Sequence, residues 1–214
     1  MIADVPVEAP VNTSFTVSGS ALPEGAAAKL SAYLALLAKW NRVYNLTAIR
    51  EPGKMATHHV ADALSVLGHL PQQAGLRLLD VGSGGGVPGL PLAIARPDWH
   101  VTVLDSNQKK GAFLRQAAIE LTLANVEAVT TRIEDYSPVA RFDVIISRAY
   151  AALSAFVERS LPLLAAGGRI AAMKGVYPRD EIAGLPGGVR VVDTVRLTVP
   201  GVDAERHLVL LEAA

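Results

Sequence analysis

A glycine-rich turn at the end of an apolar run constrains this chain more than any other feature of its sequence. Residues 78–89 read LLDVGSGGGVPG, so a run of strand length leads directly into glycines at positions 82, 84, 85 and 86. Glycine tolerates positive φ and lets the backbone approach a ligand closely. In an open α/β sheet such a turn lies at the carboxyl end of its strand, where ligands bind. The segment therefore predicts a binding loop, the alternative being a glycine-rich turn that holds no ligand.

Apolar runs of strand length alternate with helical patterns in the rest of the chain. Strands are expected at 77–81, 100–105, 126–131, 142–147 and 169–173, and helices at 88–96 and 109–123. This alternation is typical of β-α-β units around a parallel sheet that is buried on both faces. Two last runs, 189–199 and 206–212, are joined by a segment too short for a crossover helix, so they should pair antiparallel. The predicted fold class is α/β, with a doubly wound, mostly parallel sheet and an antiparallel C-terminal strand.

The residues that precede the sheet predict a helical cap. Between residues 30 and 44, apolar side chains recur at steps of three and four, the spacing of one buried helical face. A second helix is expected at 58–70, ended by Pro71. The predicted organisation is a flexible arm at 1–24, a helical cap at 25–74 packed on the core, and the core itself at 75–214.

Composition narrows the class of protein. Half of the 214 residues are hydrophobic and 19% are charged, which is typical of a globular protein. The chain has no cysteine, which excludes thiolate catalysis and cysteine-held metals and favours a cytoplasmic location. Lysine plus arginine and aspartate plus glutamate number 20 each, so attraction to nucleic acid must come from local patches.

Neither a membrane span nor a metal site is predicted. The longest uncharged runs, 9–23 and 81–95, are 15 residues each, short of the ~20 that a spanning helix needs. The first charged residue is the acidic Asp4, where a signal peptide would have a basic run, so no signal peptide is expected. His58 and His59 are adjacent and lack the spacing of metal ligands, which favours packing or capping.

Polar side chains end the neighbouring strands at the same predicted edge. Asp105 follows the second strand, where a carboxylate can accept hydrogen bonds from a ribose diol. Capping of the next helix is the alternative role. Arg148 and Lys174 end two later strands, and for Arg148 an ion pair with a nearby carboxylate, such as Glu134, is the alternative to a functional role. The segment 132–135 follows the third strand at the same sheet edge, and an adenine ring could lie beside this segment.

Basic residues cluster in two places with few compensating acids. They are Lys109, Lys110 and Arg115 in one segment, and Lys39, Arg42, Arg50 and Lys54 in the other. Such clusters are candidate phosphate contacts. For each residue taken alone, a solvated helix face is the simpler interpretation.

The spacing of the glycines fits two cofactor classes. Gly84, Gly86 and Gly89 have the spacing of a dinucleotide fingerprint. Asp80 and Gly82, continued by the next two alternating glycines, have the spacing found in S-adenosylmethionine enzymes. The sequence lacks the nucleophile elbow, zinc and phosphate-loop motifs of common hydrolases, metalloproteases and NTPases. A cofactor-dependent transferase, an NAD-dependent oxidoreductase and a ligand-sensing protein without catalysis stay open.

A series of short segments carries a more specific signal. They are WNRVYNLT at 40–47, HVAD at 59–62, LDS at 104–106, FLRQ at 113–116, SRA at 147–149, KG at 174–175 and ERHL at 205–208. Together with the glycine turn, this series resembles the RsmG, or GidB, family of bacterial small-subunit ribosomal RNA guanine-N7 methyltransferases, over about residues 30–212. The chain departs from the family pattern at Gln108, Lys110 and Ala112.

The resemblance implies a fold, a cofactor and a substrate. The fold would be the class I S-adenosylmethionine-dependent methyltransferase fold, which is Rossmann-like and has seven strands. The enzyme would act as a monomer and transfer a methyl group from S-adenosylmethionine to N7 of a guanine in the 530 loop of 16S rRNA, releasing S-adenosylhomocysteine. Its partner would be 16S rRNA or the small ribosomal subunit. Guanine N7 carries a lone pair and no proton, so no catalytic base is required.

Site residues follow from the resemblance together with the strand ends and basic clusters. The expected cofactor contacts are Asp80, Gly82, Gly84, Gly86, Val87, Asp105, Ile133, Glu134 and Arg148. The candidates for positioning the guanine are Arg148 and Lys174. The expected RNA contacts are Arg42, Arg50, Lys109, Lys110, Arg115, Lys174 and Arg206.

Overall fold

A seven-stranded sheet forms the centre of the computed structural model, which describes residues 22–150 and 152–214. Its strands are β1 (Arg77–Val81), β2 (His100–Leu104), β3 (Val126–Val129), β4 (Phe142–Arg148), β5 (Leu164–Lys174), β6 (Val189–Arg196) and β7 (His207–Ala213). The strand order is β3-β2-β1-β4-β5-β7-β6. β1 to β5 pair in parallel, and β7 runs antiparallel to both β5 and β6. The predicted fold class is confirmed. Most of the predicted N-terminal arm, residues 1–21, lies outside the described residues.

The central strands bring the predicted site residues to one edge of the sheet. β1 lies between β2 and β4, with Val81 opposite Leu104 and Asp80 opposite Ile146. Because these strands are parallel, their carboxyl ends meet at the same edge. The glycine turn, Asp105 and the end of β4 are therefore neighbours in space although they are distant in sequence.

Helices cover both faces of this sheet. On one face α1 (Ala26–Tyr44) packs over α4 (Gly89–Ala95) and α5 (Gln108–Glu120). α6 (Leu153–Ser160) contacts β5, and α7 (Arg179–Ala183) packs against α6. The predicted amphipathic helix is confirmed, since Leu30, Tyr33 and Leu37 of α1 are fully buried. These side chains share one apolar cluster with β1 and β2, so α1 is part of the same hydrophobic core as the sheet.

The second predicted helix begins and ends elsewhere than expected. Instead of a single helix at 58–70, α2 (Pro52–Met55) leads into a π-helical turn (Ala56–Ala61) and then α3 (Asp62–Leu64). A separate 3₁₀ turn follows at Leu67–His69. Proline suits the first turn of a helix because its missing N–H has no helical acceptor there, which explains the earlier start. The π turn accommodates one extra residue in this short segment.

Other boundaries also depart from the sequence-based expectation. β5 begins at Leu164, five residues before the predicted start at residue 169. Gly167 and Gly168 interrupt its apolar pattern, and its pairing with β4 is irregular near Phe142. The terminal strands pair antiparallel as predicted, although β6 ends at Arg196 instead of residue 199. In the part of the chain that the structure describes, no helix has the length and apolar character to cross a membrane.

Candidate active site

The glycine turn after β1 has one open side and one packed side. Gly82, Gly84 and Gly86 adopt positive φ angles of 72°, 57° and 86°. A Cβ at Gly82 would meet no atom within 4 Å, whereas one at Gly86 would collide with the side chain of Leu90. The turn therefore presents Gly82 to open space and fits Gly86 against α4.

Hydrogen bonds from several elements hold the turn rigid. The amides of Gly82 and Ser83 both donate to the carbonyl oxygen of Leu104 at the end of β2, at 2.8 and 3.0 Å. From the helical cap, the hydroxyl of Tyr33 donates to the carbonyl oxygen of Gly85 at 2.7 Å. The sequence pattern placed Tyr33 only on the apolar face of α1. It did not predict the hydrogen bond of the hydroxyl, because the spacing of apolar residues would be the same with phenylalanine at this position. The cap thus helps to shape the turn.

Asp80 lies beneath the turn and is fully buried. Its Oδ2 accepts a hydrogen bond from the amide of Gly89 at 2.8 Å, and a Cβ at Gly89 would lie only 2.8 Å from the same oxygen. Its Oδ1 has no hydrogen-bond partner among the described residues. Burial raises the pKa of Asp80 from 3.8 to about 7. Asp80 therefore supports the turn from inside and does not line the cleft.

The raised pKa of Asp80 predicts a pH dependence of stability. The folded protein holds the proton of the Asp80 carboxyl more tightly than the unfolded chain does. The stabilisation that protonated Asp80 contributes is therefore fully present below pH 3.8 and is lost as the pH rises through about 7. The free energy of unfolding of the wild type should therefore fall relative to that of Asp80→Asn over this range. The variant cannot titrate at this position but keeps an oxygen for Gly89, and both proteins share every other titrating group. Urea denaturation at a series of pH values tests the prediction, and parallel pH curves would contradict it.

Asp105 lies directly after β2 and contacts the glycine turn. Its Oδ2 accepts from the amide of Gly84 and its Oδ1 from the amide of Asn107, both at 2.9 Å. The expected alternative role is wrong, because Asn107 caps α5 by accepting from the amides of Lys109 and Lys110. Each carboxylate oxygen has a second lone pair. Asp105 therefore keeps acceptor capacity at the rim of the turn.

Arg148 does form an ion pair with a nearby carboxylate, the alternative considered for it, but its partner is not Glu134. Glu134 is exposed in the turn after β3, where Arg159 lies 3.9 Å away, while neighbouring Ile133 is buried. Arg148 instead pairs with Asp62 of the helical cap at 3.2 Å. The charge at the end of β4 is therefore neutralised from the cap.

Asp62 is a buried carboxylate between two guanidinium groups. Its Oδ2 accepts from Nη1 of Arg148, and its Oδ1 accepts from Nε of Arg206 at 3.0 Å. Nη1 of Arg148 also donates to the carbonyl oxygen of His58 at 2.6 Å, and its Nη2 lies 3.3 Å from Nδ1 of His59. These contacts join the helical cap, the end of β4 and the start of β7. Sequence analysis assigned Asp62 no role.

His59 is buried, as the packing interpretation predicted, but it also faces the candidate site. Its Nε2 lies 3.0 Å from the hydroxyl of Thr47. Burial, followed by the charge of Arg148, lowers its pKa from 6.5 to about 4. The ring is therefore neutral near pH 7. The amide of Thr47 donates to Oδ1 of Asn41 at 2.9 Å, which fixes the segment after α1.

A cleft runs between the glycine turn and the helical cap at the carboxyl edge of the sheet. Its lining comprises Leu37, Leu46, Thr47, His59, Gly82, Ser83, Gly84, Gly85, Val87, Arg148 and Ala149. One wall is thus backbone and the other carries polar side chains. No group of three or more histidine, aspartate or glutamate side chains within the described ranges could hold a metal ion.

Three of the predicted basic contacts have carboxylate partners, and two of these ion pairs are close. Lys174 lies 2.7 Å from Glu181 with its side chain 12% exposed, and Arg206 pairs with Asp62. Neither side chain is presented as a free cation. Lys174 is the last residue of β5, and its partner lies on α7.

The other predicted basic contacts are more accessible. Arg42 at the end of α1 and Lys109 at the start of α5 are exposed. Arg50 is exposed and donates to Oδ1 of Asn45, and Arg115 is exposed and donates to Thr130. Lys110 is less exposed and lies 3.7 Å from Asp105.

The strand order is that of a doubly wound α/β fold, and comparison with solved structures specifies the fold further. A SAM dependent methyltransferase from Aquifex aeolicus has the same fold, with a TM-score of 0.57 at 19% sequence identity, covering 82% of this chain and 97% of that one. The fold is therefore that of S-adenosylmethionine-dependent methyltransferases.

Sequence comparison then identifies the family. The family model GidB, described as rRNA small subunit methyltransferase G, matches residues 26–209. Ribosomal RNA small subunit methyltransferase G of Laribacter hongkongensis is 58% identical over 179 residues, which cover 84% of this chain and 85% of that protein. The protein of the same name from Chromobacterium violaceum is 57% identical over 180 residues, with coverage of 84% and 85%. The chain belongs to this methyltransferase family, which confirms the predicted resemblance and excludes the dehydrogenase interpretation.

Proposed function

We propose that the protein transfers a methyl group from S-adenosylmethionine to N7 of a guanine in the 530 loop of 16S rRNA. The observation that carries this proposal is the cleft at the carboxyl edge of a methyltransferase sheet, which the open Gly82 lines and beside which Asp105 accepts from the amide of Gly84. Family membership supports ribosomal RNA as the substrate. The choice of guanine and of the N7 atom follows from the sequence resemblance and from the chemistry of the cleft.

The residues that line and border the cleft fit S-adenosylmethionine. The missing Cβ of Gly82 leaves open space where the cofactor would pass, and Gly84 and Val87 line the same wall, whereas Gly86 packs against α4. Asp105 would accept hydrogen bonds from the ribose diol. Asp80 would act indirectly, by holding the turn from below.

The adenine and methionine ends of the cofactor would lie on opposite sides of the turn. Ile133 and Glu134 follow β3 and would flank the adenine, with Ile133 supplying apolar surface. Arg148 lines the cleft after β4 and would face the methionine moiety. When bound, the cofactor supplies an electrophilic methyl group on a sulfonium and leaves as S-adenosylhomocysteine.

The side chains in the cleft suit a reaction that needs no catalytic base. His59 is neutral and engaged with Thr47, and the charge of Arg148 is held by Asp62. Lys174, bound to Glu181, is also unsuited to remove a proton. Guanine N7 presents a lone pair without losing a proton. The protein would therefore act mainly by holding the two reactants in line, an effect that reaches ~7 to 11 kcal/mol in ideal intramolecular reactions.

Exposed cations near the cleft would contact the RNA backbone. Arg42, Arg50 and Lys109 have exposed side chains on elements that flank the cleft. Tyr44, 41% exposed at the end of α1, adds an aromatic surface there. The deep major groove of an RNA helix hides guanine N7, so the target should lie in an irregular or unstacked loop. Action as a monomer and a cytoplasmic location stay predictions of the sequence.

Substitution of 7-deazaguanine at the target position is expected to abolish methyl transfer. The substitution removes the nucleophilic lone pair of N7 but keeps the Watson–Crick edge of the base. The measurement is incorporation of labelled methyl groups into small subunits or 16S rRNA prepared from a strain that lacks the enzyme. RNA with ordinary guanine is the positive control, and competition binding shows whether both RNAs still reach the enzyme. Methylation of the substituted base at an unchanged rate would contradict the N7 assignment.

A further inference from the structure

Two exposed apolar side chains, Val176 and Tyr177, stand side by side in the segment that follows β5. They are 75% and 45% exposed. A single exposed apolar side chain is ordinary on a soluble protein, whereas adjacent ones beside a candidate site indicate a contact surface. Neither residue is among the expected contacts of the cofactor or of the RNA.

The strand order divides the carboxyl edge of the sheet into two parts. The proposed cofactor contacts follow β1, β2 and β3 and extend to Arg148 at the end of β4. The end of β5 and the start of β7 form the rest of this edge, with Lys174 opposite His207. A methyl acceptor must approach the sulfonium from a direction that the cofactor leaves open. The part of the edge beside β5 provides that direction.

Contacts on both sides connect the segment after β5 to the cleft. Met173 pairs in register with Arg148, which lines the cleft, and Tyr177 follows shortly after Met173 in the chain. Glu181 of α7 accepts from the amide of Leu153 at 2.7 Å, which holds the segment after β5 beside the one after β4. Tyr177 therefore borders the acceptor side of the cleft.

The backbone that carries Tyr177 is fixed before any ligand binds. Nδ1 of His207 donates to the carbonyl oxygen of Gly175 at 2.7 Å, since a carbonyl oxygen can only accept. The amide of Arg179 donates to the carbonyl oxygen of Tyr177 at 3.0 Å, and Pro178 between them is buried. An exposed ring on an ordered turn loses little conformational freedom on binding.

Arg179 places an exposed cation beside this ring. Its guanidinium lies over the ring of Tyr177, 6.0 Å from the centroid, which is the outer limit of a cation–π contact. Lys174 and Arg206 at the same edge pair with carboxylates, whereas Arg179 has no ion-pair partner in the part of the chain that the structure describes. An incoming ring can displace the guanidinium at little cost, and the guanidinium then remains available for a phosphate.

This combination of groups favours RNA over a protein partner. Proteins that bind unpaired nucleotides stack the bases on aromatic rings and pair the phosphates with cations. An apolar protein surface would cover Tyr177 and Val176 but would leave the charge of Arg179 without a partner. A single strand of RNA satisfies both the ring and the cation.

We propose that the ring of Tyr177 stacks on an unpaired base next to the target guanine, while Arg179 pairs with a phosphate of the same strand. This inference rests on the proposed function and adds a stacking contact to its RNA-binding surface. A base held on Tyr177 no longer stacks on the target guanine, so the contact would help to open the loop around N7.

Equilibrium binding tests the proposal on small subunits or 16S rRNA from a strain that lacks the enzyme, whichever of the two the wild type methylates. Tyr177→Leu keeps an apolar side chain but removes the ring, and it should weaken binding about tenfold, toward the lower end for stacking of one base. Tyr177→Phe keeps the ring and should bind as the wild type does. Val139→Ala is the matched control, because Val139 is fully exposed but precedes β4 at the opposite edge of the sheet. All four proteins should bind S-adenosylhomocysteine equally.

Chemical probing of the bound RNA identifies the stacked base. With each enzyme at saturating concentration, a nucleotide beside the target should change its reactivity with the wild type and Tyr177→Phe but not with Tyr177→Leu. Arg179→Ala should keep this change in reactivity. It should lower the slope of log affinity against log salt by about one, the value for a single phosphate contact.

The contrary results separate the possible errors. If Tyr177→Leu binds the RNA as tightly as the wild type, the ring makes no such contact although the proposed function stands. If Tyr177→Phe loses as much affinity as Tyr177→Leu, the ring does not act by stacking. Weaker binding of S-adenosylhomocysteine to Tyr177→Leu would mean that the segment acts through the shape of the cleft. A loss of affinity without a change at any probed nucleotide would assign the surface to a ribosomal protein. If the wild type methylates neither substrate, the proposed function itself is wrong.

Discussion

Gly82→Val is expected to reduce the affinity for S-adenosylhomocysteine by more than about hundredfold, a free-energy change of roughly 3 kcal/mol. Gly82 has a φ of 72° and faces the open side of the glycine turn. A valine there would place its branched side chain in the space where the cofactor is proposed to pass. Calorimetry on the purified variant measures the loss directly.

The chain offers a matched control for the backbone strain of this substitution. Gly75 has a φ of 74°, and a Cβ there would also meet nothing within 4 Å, but Gly75 precedes β1 at the opposite end of the strand. Left-handed backbone costs a non-glycine residue about 1 to 2 kcal/mol. Gly75→Val should therefore lose similar stability without losing ligand affinity. Equal affinities of the two variants would show that Gly82 does not border the cofactor.

The fold was predictable because its strongest signals are local in the sequence. The apolar run from Leu78 to Val81 and the glycines after it mark a buried strand and a turn, and both form as expected. Asp105 was predictable for the same reason, since it directly follows the second strand. Strand β5 was predicted too short because Gly167 and Gly168 break its apolar pattern, although Leu164 before these glycines still pairs with Phe142 of β4.

The polar wall of the cleft was not predictable from such patterns. Asp62 meets Arg148 across 86 positions of sequence and Arg206 across 144. No spacing rule relates residues so far apart, and the periodicity of the cap reports only which side chains are buried. Thr47 and His59 lay in segments that the family resemblance singled out, which was the one signal that pointed to them.

Lys174 shows why position at a strand end is an incomplete argument. Like Arg148, it ends a strand of the parallel part of the sheet, and nothing in the sequence pattern distinguishes the two cations. Glu181 lies 2.7 Å from Lys174 and also accepts from the amide of Leu153, so this carboxylate joins β5 to the start of α6. The partner of each cation, and hence its role, comes from a different element, the helical cap for Arg148 and α7 for Lys174.

The largest loss of stability is expected from Asp62→Ala. Asp62 is 1% exposed and is the shared acceptor of Arg148 and Arg206. Removing one partner from a buried ion pair typically costs about 3 to 5 kcal/mol, because the remaining charge stays desolvated without a counter-charge. The variant should also bind S-adenosylhomocysteine more weakly, since Arg148 would lose the contact that orients it. Urea denaturation and calorimetry measure the two effects.

Two further variants separate charge from packing in this prediction. Glu51→Ala removes an exposed carboxylate that pairs with Lys54 at 3.0 Å, and it should cost no more than about 1 kcal/mol. The double substitution Asp62→Ala with Arg206→Met removes one of the two cations left without a partner, so it should recover part of the stability that the single variant loses. A single variant that unfolds within about 1 kcal/mol of the wild type would show that the two arginines find solvent instead, since that is the magnitude of an exposed pair. In that case the cap would be held on the sheet by its apolar face alone, and the orientation of Arg148 would not depend on Asp62.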